Sequence, residues 1–218
     1  MSADSPDERD AMMRALLRGS AEWRLLSRLF ECPSDAWRAD LEALARELPE
    51  GELRTAVAEA GVEAGEGLFH SVFGPGGPAP PREVSYHDTL ELGTLMSALV
   101  SHYEAFDYRP GSPEPPDHLA VEVGFVAYLY LKEAFAVATA DPETAALTAR
   151  VRERFVREHL AMMAEPIAGL LAASGVSYLA RASALLAARV GSRPRAPGLP
   201  VIQPVLDDEE DGGFTCAS

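Results

Sequence analysis

Five histidines, at positions 70, 87, 102, 118 and 159, and two cysteines, Cys32 and Cys216, carry the most varied side-chain chemistry in this chain. Three of the histidines stand four residues from a carboxylate: Glu66 with His70, His87 with Glu91, and His118 with Glu122. On a helix each pair would share one face. Two ligands do not complete a structural metal site, which needs about four, so no metal is expected. The cysteines are far apart and form no C-x-x-C unit. Phosphate-cradling, dinucleotide, serine-nucleophile and zinc-helix motifs are all absent. The GPGG stretch at 74–77 has glycines but no following Lys-Ser or Lys-Thr. No catalytic residue is therefore assigned, and no cofactor.

The segment holding His118 is the most informative. At about 100° per residue, His118, Glu122, Phe125, Leu129 and Glu133 share one helical stripe. Such a stripe suits a bundle helix whose polar groups meet partners on neighbouring helices. It equally suits a mixed apolar and anionic groove, fit for a peptide with a basic part and an apolar part. Asp117 follows Pro115-Pro116, where a helix N-cap belongs.

These residues need helices to hold them, and the composition supplies helices. Ala and Leu dominate the apolar share while aromatics make up only 7%, which disfavours strands. Apolar residues recur at helical spacing between Pro/Gly breaks. The pattern predicts helices over 7–31, from a Ser34 N-cap to Pro49, over 52–60 ending at Gly61, and over 66–73. A loop follows at 74–82, then a helix from near Asp88 through Phe106, a second break at 109–116, and a nearly all-apolar helix over 117–138. Gly124 would let a neighbouring helix approach that one closely. Asp141-Pro142-Glu143 reads as a cap and first turn, the helix it starts should bend at Pro166, and a last helix runs from Ser177 to Gly191. The expectation is an all-α, single bundle of about seven helices over 1–191, with a Pro-rich tail over 192–218 whose acidic run spans Asp207–Asp211.

The net charge of −15 repels nucleic acid and anionic lipid and attracts cationic partners. The acidic N-terminus lacks the features of a signal peptide. The longest apolar stretch, Leu119–Leu131, is interrupted by Glu122 and closed by Lys132 and Glu133, too short and too charged to span a bilayer. Neither nucleic-acid binding nor stable membrane insertion is expected. With few cysteines and no disulfide scaffold, a cytoplasmic location is the expectation.

The stretch EPPDHLAVEVGFVAYLYLKEA, residues 114–134, resembles the hallmark of the TorD family of redox-enzyme maturation chaperones. Glu114, Pro115, Asp117, His118, Leu119, Glu122, Phe125, Lys132 and Glu133 carry the likeness. PPREVSYHD at 80–88 is similar to a P-P-Y-E-T-x-Y-G element of the same family, through Pro80, Pro81, Glu83 and Tyr86; Arg82, Val84 and His87 depart from it. SHYEAFDY and FVREHLAMM resemble two further elements, and the likeness extends roughly over 66–190. It implies an all-helical chaperone, not an enzyme. The implied partner is the apo catalytic subunit of a molybdopterin oxidoreductase, often recognised through its twin-arginine leader and held until cofactor insertion. By the same resemblance Asp117 and His118 would contact the client, joined by Glu83, Tyr86 and Glu122. A general helical adaptor, or a helical metal- or haem-binding protein using His118 and Glu122, are the alternatives the residues leave open.

Overall fold

A computed structural model describes residues 6–88 and 90–192. Among them lie nine α-helices: α1 (Pro6–Leu29), α2 (Asp35–Glu47), α3 (Glu52–Glu63), α4 (Glu66–Phe73), α5 (Leu92–Ala105), α6 (Leu119–Ala138), α7 (Pro142–Phe155), α8 (Ala161–Ala173) and α9 (Ser177–Val190). A π-helical turn, Val156–Leu160, makes α7 and α8 one continuous run, and a 3-10 turn occupies Glu83–Tyr86. No strand is present among the described residues; the one β-type contact is an isolated antiparallel bridge between Arg82 and His118. The all-α expectation holds, with one more helical run than the pattern suggested.

The bundle is organised around α6. From Leu119 to Ala127 every residue of this helix is buried, as its lack of a polar face requires. Its main neighbour is α1, which runs antiparallel to it. Small residues bring the two together. Ser27 Oγ donates to the Ala120 carbonyl and Ser20 Oγ to that of Ala127, both at 2.8 Å. A Cβ on Gly124 would lie 2.7 Å from the Tyr108 hydroxyl and 3.0 Å from Ser27 Oγ, so the approach the sequence suggested does depend on this glycine. Tyr103, Tyr108, Phe125 and Phe155 form a cluster with ring centroids 4.8 to 6.4 Å apart, tying α5 and α7 to the same helix. Trp37 on α2 donates its Nε1–H to the Arg28 carbonyl at 2.6 Å, satisfying one of the acceptors that end α1. On the far side Arg181 of α9 binds Glu59 and Glu52 of α3.

Local chemistry sets the helix ends. Asp141 accepts from the Thr144 N–H at 3.0 Å with Pro142 at the first position, as the sequence indicates. Gly61 does not end α3, which continues to Glu63 before Ala64 turns extended. The N-cap of α6 is His118, not Asp117: the His118 Nδ1 accepts from the Ala120 N–H at 3.1 Å. The helix that Asp141 starts passes through a π turn at Val156–Leu160, and Pro166 sits inside α8. The acidic run Asp207–Asp211 falls outside the described residues.

Two glycine substitutions test this packing. Gly124→Val should lower stability by about 1–3 kcal/mol, because α1 and Tyr108 leave no room for the side chain. Gly169→Ala, at an α8 position with no atom within 4 Å of an added Cβ, should raise it by roughly 0.5–1 kcal/mol. Urea unfolding of both variants checks the pair; equal effects would mean that Gly124 is not a packing residue.

Candidate functional site

The two Pro/Gly-rich breaks of the chain meet at the start of α6. The Glu83 N–H donates to the Asp117 carbonyl and the Leu119 N–H to the Pro81 carbonyl, both at 2.8 Å. Two tyrosines fasten the same segments: the Tyr86 hydroxyl donates to Pro80 O and the Tyr103 hydroxyl to Pro116 O, each at 2.7 Å. Prolines suit this junction, since each offers a carbonyl and has no N–H to satisfy.

Behind the junction lies a layer of buried charge. Asp117 is fully buried and accepts from Arg82 Nε, which lies 2.9 and 3.1 Å from its two oxygens, while Nη2 makes an ion pair 2.8 Å from Oδ1. The 3-10 turn aims Glu83 inward, where His87 Nε2 lies at 2.8 Å and His159 Nδ1 at 3.0 Å. The π turn supplies that second imidazole, because Val156–Leu160 carries His159 toward Glu83. Glu122 completes the layer from α6. It is fully buried, and neither of its oxygens finds a hydrogen-bond donor. Burial, followed by the negative charges of Glu83 and Asp117, holds its carboxyl well above the usual range. Its surroundings thus favour the neutral, protonated form over the carboxylate. Burial, with Glu122 adding to it, also lifts the Tyr103 phenol well above its ordinary value.

His118 separates this layer from solvent. With Nδ1 accepting the cap hydrogen bond, its proton resides on Nε2, 4.0 Å from Glu114 Oε2. Burial, reinforced by the Arg82 charge, lowers its pKa to about 4. It is a neutral imidazole at physiological pH.

In front of the junction is an open groove of about 420 Å³. Phe69 and Phe73 of α4, with Pro75, Pro80, Pro81 and Pro115, give it apolar walls. His70, Arg82, Ser85, Glu114 and His118 are its polar positions. Glu114 also borders a second, more polar depression of about 770 Å³, where Glu31, Asp35 and Glu66 lie beside Arg28 and Arg38.

Of the five residues singled out in the sequence, Asp117, His118, Glu83 and Glu122 converge here, and Tyr86 flanks them. Only His118 reaches the groove. Two of the three pairs form with the other carboxylate at the same spacing: His87 meets Glu83 instead of Glu91, and His118 lies 4.0 Å from Glu114. The Glu66–His70 pair forms at 3.7 Å, on the surface. Arg82 and His159 are members that spacing does not bring out, whereas Glu114 stands four residues before His118. Arg82 and His159 did lie inside stretches resembling the family, within PPREV and FVREHL. Among the described residues no group of three or more His, Cys, Asp or Glu is placed to hold a metal ion, and no helix is long and apolar enough to cross a membrane.

The two shifted groups act oppositely on stability. Glu122 has a raised folded pKa, so its contribution is unfavourable at neutral pH and relieved as pH falls toward the unfolded value near 4.5. His118 has a lowered one, so stability is full above about 6.5 and lost as pH falls toward about 4. Glu122→Gln should therefore raise the melting temperature at pH 8, with the gain shrinking toward pH 5. His118→Asn, which keeps a capping side chain, should lose less stability than wild type between pH 6.5 and 4. Thermal melts across this range decide; a Glu122→Gln variant less stable at every pH would mean that Glu122 is ionised and paired.

A family model described as nitrate reductase delta subunit matches residues 31–168, well over half of the chain. No curated protein matches it. The matched span contains every group of the buried layer and both walls of the groove. It agrees with the resemblance carried by the Asp117-His118 motif and its flanks. This chain belongs to the nitrate reductase delta subunit family, a family of redox-enzyme maturation chaperones.

Proposed function

We propose that this chain binds the apo catalytic subunit of a molybdopterin oxidoreductase in the cytoplasm, through that subunit's twin-arginine leader. It holds the client until the cofactor is inserted, and has no catalytic step of its own. The observation that carries the reading is the groove before α6, apolar on its walls and bounded by Glu114 and His118. A twin-arginine leader presents two cations beside an apolar segment inclined to form helix, and such a groove offers a place for each part.

Magnitudes divide the work between them. An exposed ion pair contributes about 0.2–1 kcal/mol, whereas apolar burial contributes about 25 cal/mol per Å². The Phe and Pro walls therefore supply most of the affinity. Glu114, the polar depression beside it and the net charge of −15 mainly speed encounter and reject anionic partners. Within this reading His118 forms the polar wall facing the client, with Asp117 behind Arg82 at its base. Glu83, Glu122 and Tyr86 hold that wall in place from behind.

Ser85 offers a clean test, being exposed and on the groove lining. Ser85→Trp should fill the groove and weaken binding of a synthetic twin-arginine leader peptide by at least about tenfold, with an unchanged melting temperature. Glu114→Gln should weaken it by roughly two- to fivefold at low salt and less at high salt. Calorimetric titration measures both. Undiminished affinity in Ser85→Trp would place the client elsewhere.

A further inference from the structure

Arg82 and Asp117 are unequal partners. Asp117 cannot move far: its carbonyl is tied to the Glu83 N–H, and the next residue caps a helix that starts in the protein interior. Arg82 extends from the groove wall on a long unbranched side chain that is 35% exposed, while the Asp117 side chain is 0% exposed. If the pair opens, Arg82 is the member that leaves. Its departure would uncover a carboxylate at the back of an apolar groove.

That carboxylate cannot remain bare. Uncompensated buried charge is strongly unfavourable, and the nearest groups on neighbouring elements are two further acids, Glu83 on the 3-10 turn and Glu122 on α6. His118 brings no positive charge, since its Nδ1 is committed to the cap and the ring is neutral. Removal of Arg82 therefore requires a replacement cation of similar geometry. Arg82 sets two nitrogens of one planar guanidinium against the carboxylate, Nε hydrogen-bonded to both oxygens and Nη2 in ion-pair contact with Oδ1, an arrangement matched by another guanidinium and not by an ammonium group, which acts as a point charge.

We propose that Arg82 is an internal stand-in for an arginine of the client, occupying Asp117 in the free chaperone and exchanged for a guanidinium of the bound peptide. This rests on the reading of the groove as a leader site. Exchange conserves the ion pair at Asp117, so the net gain comes from the apolar segment that accompanies the arginine into the groove. A peptide with the apolar segment alone leaves Arg82 in place and meets its side chain along the groove wall. The arrangement selects for arginine next to apolar sequence, and for arginine over lysine.

The test uses the full-length protein and three synthetic peptides sharing one apolar segment, preceded by two arginines, two lysines or two glutamines. In wild-type protein the Arg82 Nε–H, identified by its loss in Arg82→Lys, should give a nuclear magnetic resonance signal protected from solvent exchange. Saturation with the twin-arginine peptide should abolish that protection, and the glutamine peptide should not. Arg82→Gln should bind the twin-arginine peptide about tenfold more tightly than wild type, and the glutamine peptide equally well. Adding Asp117→Asn should cancel the gain. If Arg82→Gln fails to fold, the wild-type signal alone decides. An Arg82 signal still protected at saturation overturns the exchange and leaves the groove reading standing. No binding of any peptide, by wild type and Arg82→Gln alike, overturns both.

Discussion

Helix α6 begins in the interior of the protein, where its first N–H groups cannot be satisfied by water. Leu119, the first residue of the helix, is fully buried, and an unpaired backbone donor at such a place is unfavourable by roughly 1–3 kcal/mol. Each of the first four finds a partner. Leu119 donates to Pro81, Ala120 to the His118 ring, and Val121 and Glu122 to the His118 carbonyl. The first of these bonds draws the loop after α4 against the segment before α6. The second fixes the tautomer and position of His118. The groove, its proline walls and the 3-10 turn that buries Glu83 all depend on how this one helix start is closed.

The same closure concentrates acidity. Three carboxyls, Glu83, Asp117 and Glu122, approach one another in the interior of a chain that is already strongly anionic. Each is tolerated by a different device. Asp117 has a guanidinium, Glu83 has two imidazoles, and burial pushes Glu122 toward its neutral form. Such layers contribute little net stability compared with apolar packing. They do demand that several segments far apart in sequence arrive together: the loop at 80–87, the start of α6, and the π turn carrying His159.

Helix positions are readable from the chain because apolar periodicity and Pro/Gly punctuation are local signals. The boundaries of α4 and the cap of α7 lie where the residues indicate. The convergence of Asp117, His118, Glu83 and Glu122 is legible only as a family likeness. Spacing alone does not choose their partners, because His87 stands four residues from both Glu83 and Glu91, and His118 four residues from both Glu114 and Glu122, and the fold selects the earlier carboxylate each time. His87 turns back to Glu83 since the 3-10 turn, not an α-helix, sets its direction. Asp117 reads as a cap by its position after two prolines, yet the Arg82 guanidinium takes its carboxylate and the imidazole beside it takes over the capping. The contribution of His159 needs a one-residue insertion in a helix, which apolar periodicity does not reveal.

That insertion also governs how the last third of the helical chain is held. An extra residue in the π turn rotates the downstream helix by about 100°, so the buried face of α7 and that of α8 point in different directions along one unbroken helical run. The upstream part packs on α6 and the downstream part on α9. Two helices facing different neighbours would ordinarily be joined by a loop, and loop tips are where proteases cut. Here the change of direction is made without releasing the backbone into an extended loop. The buried layer that backs the groove is thus joined to the terminal helical hairpin by a segment that offers proteases no extended backbone to engage.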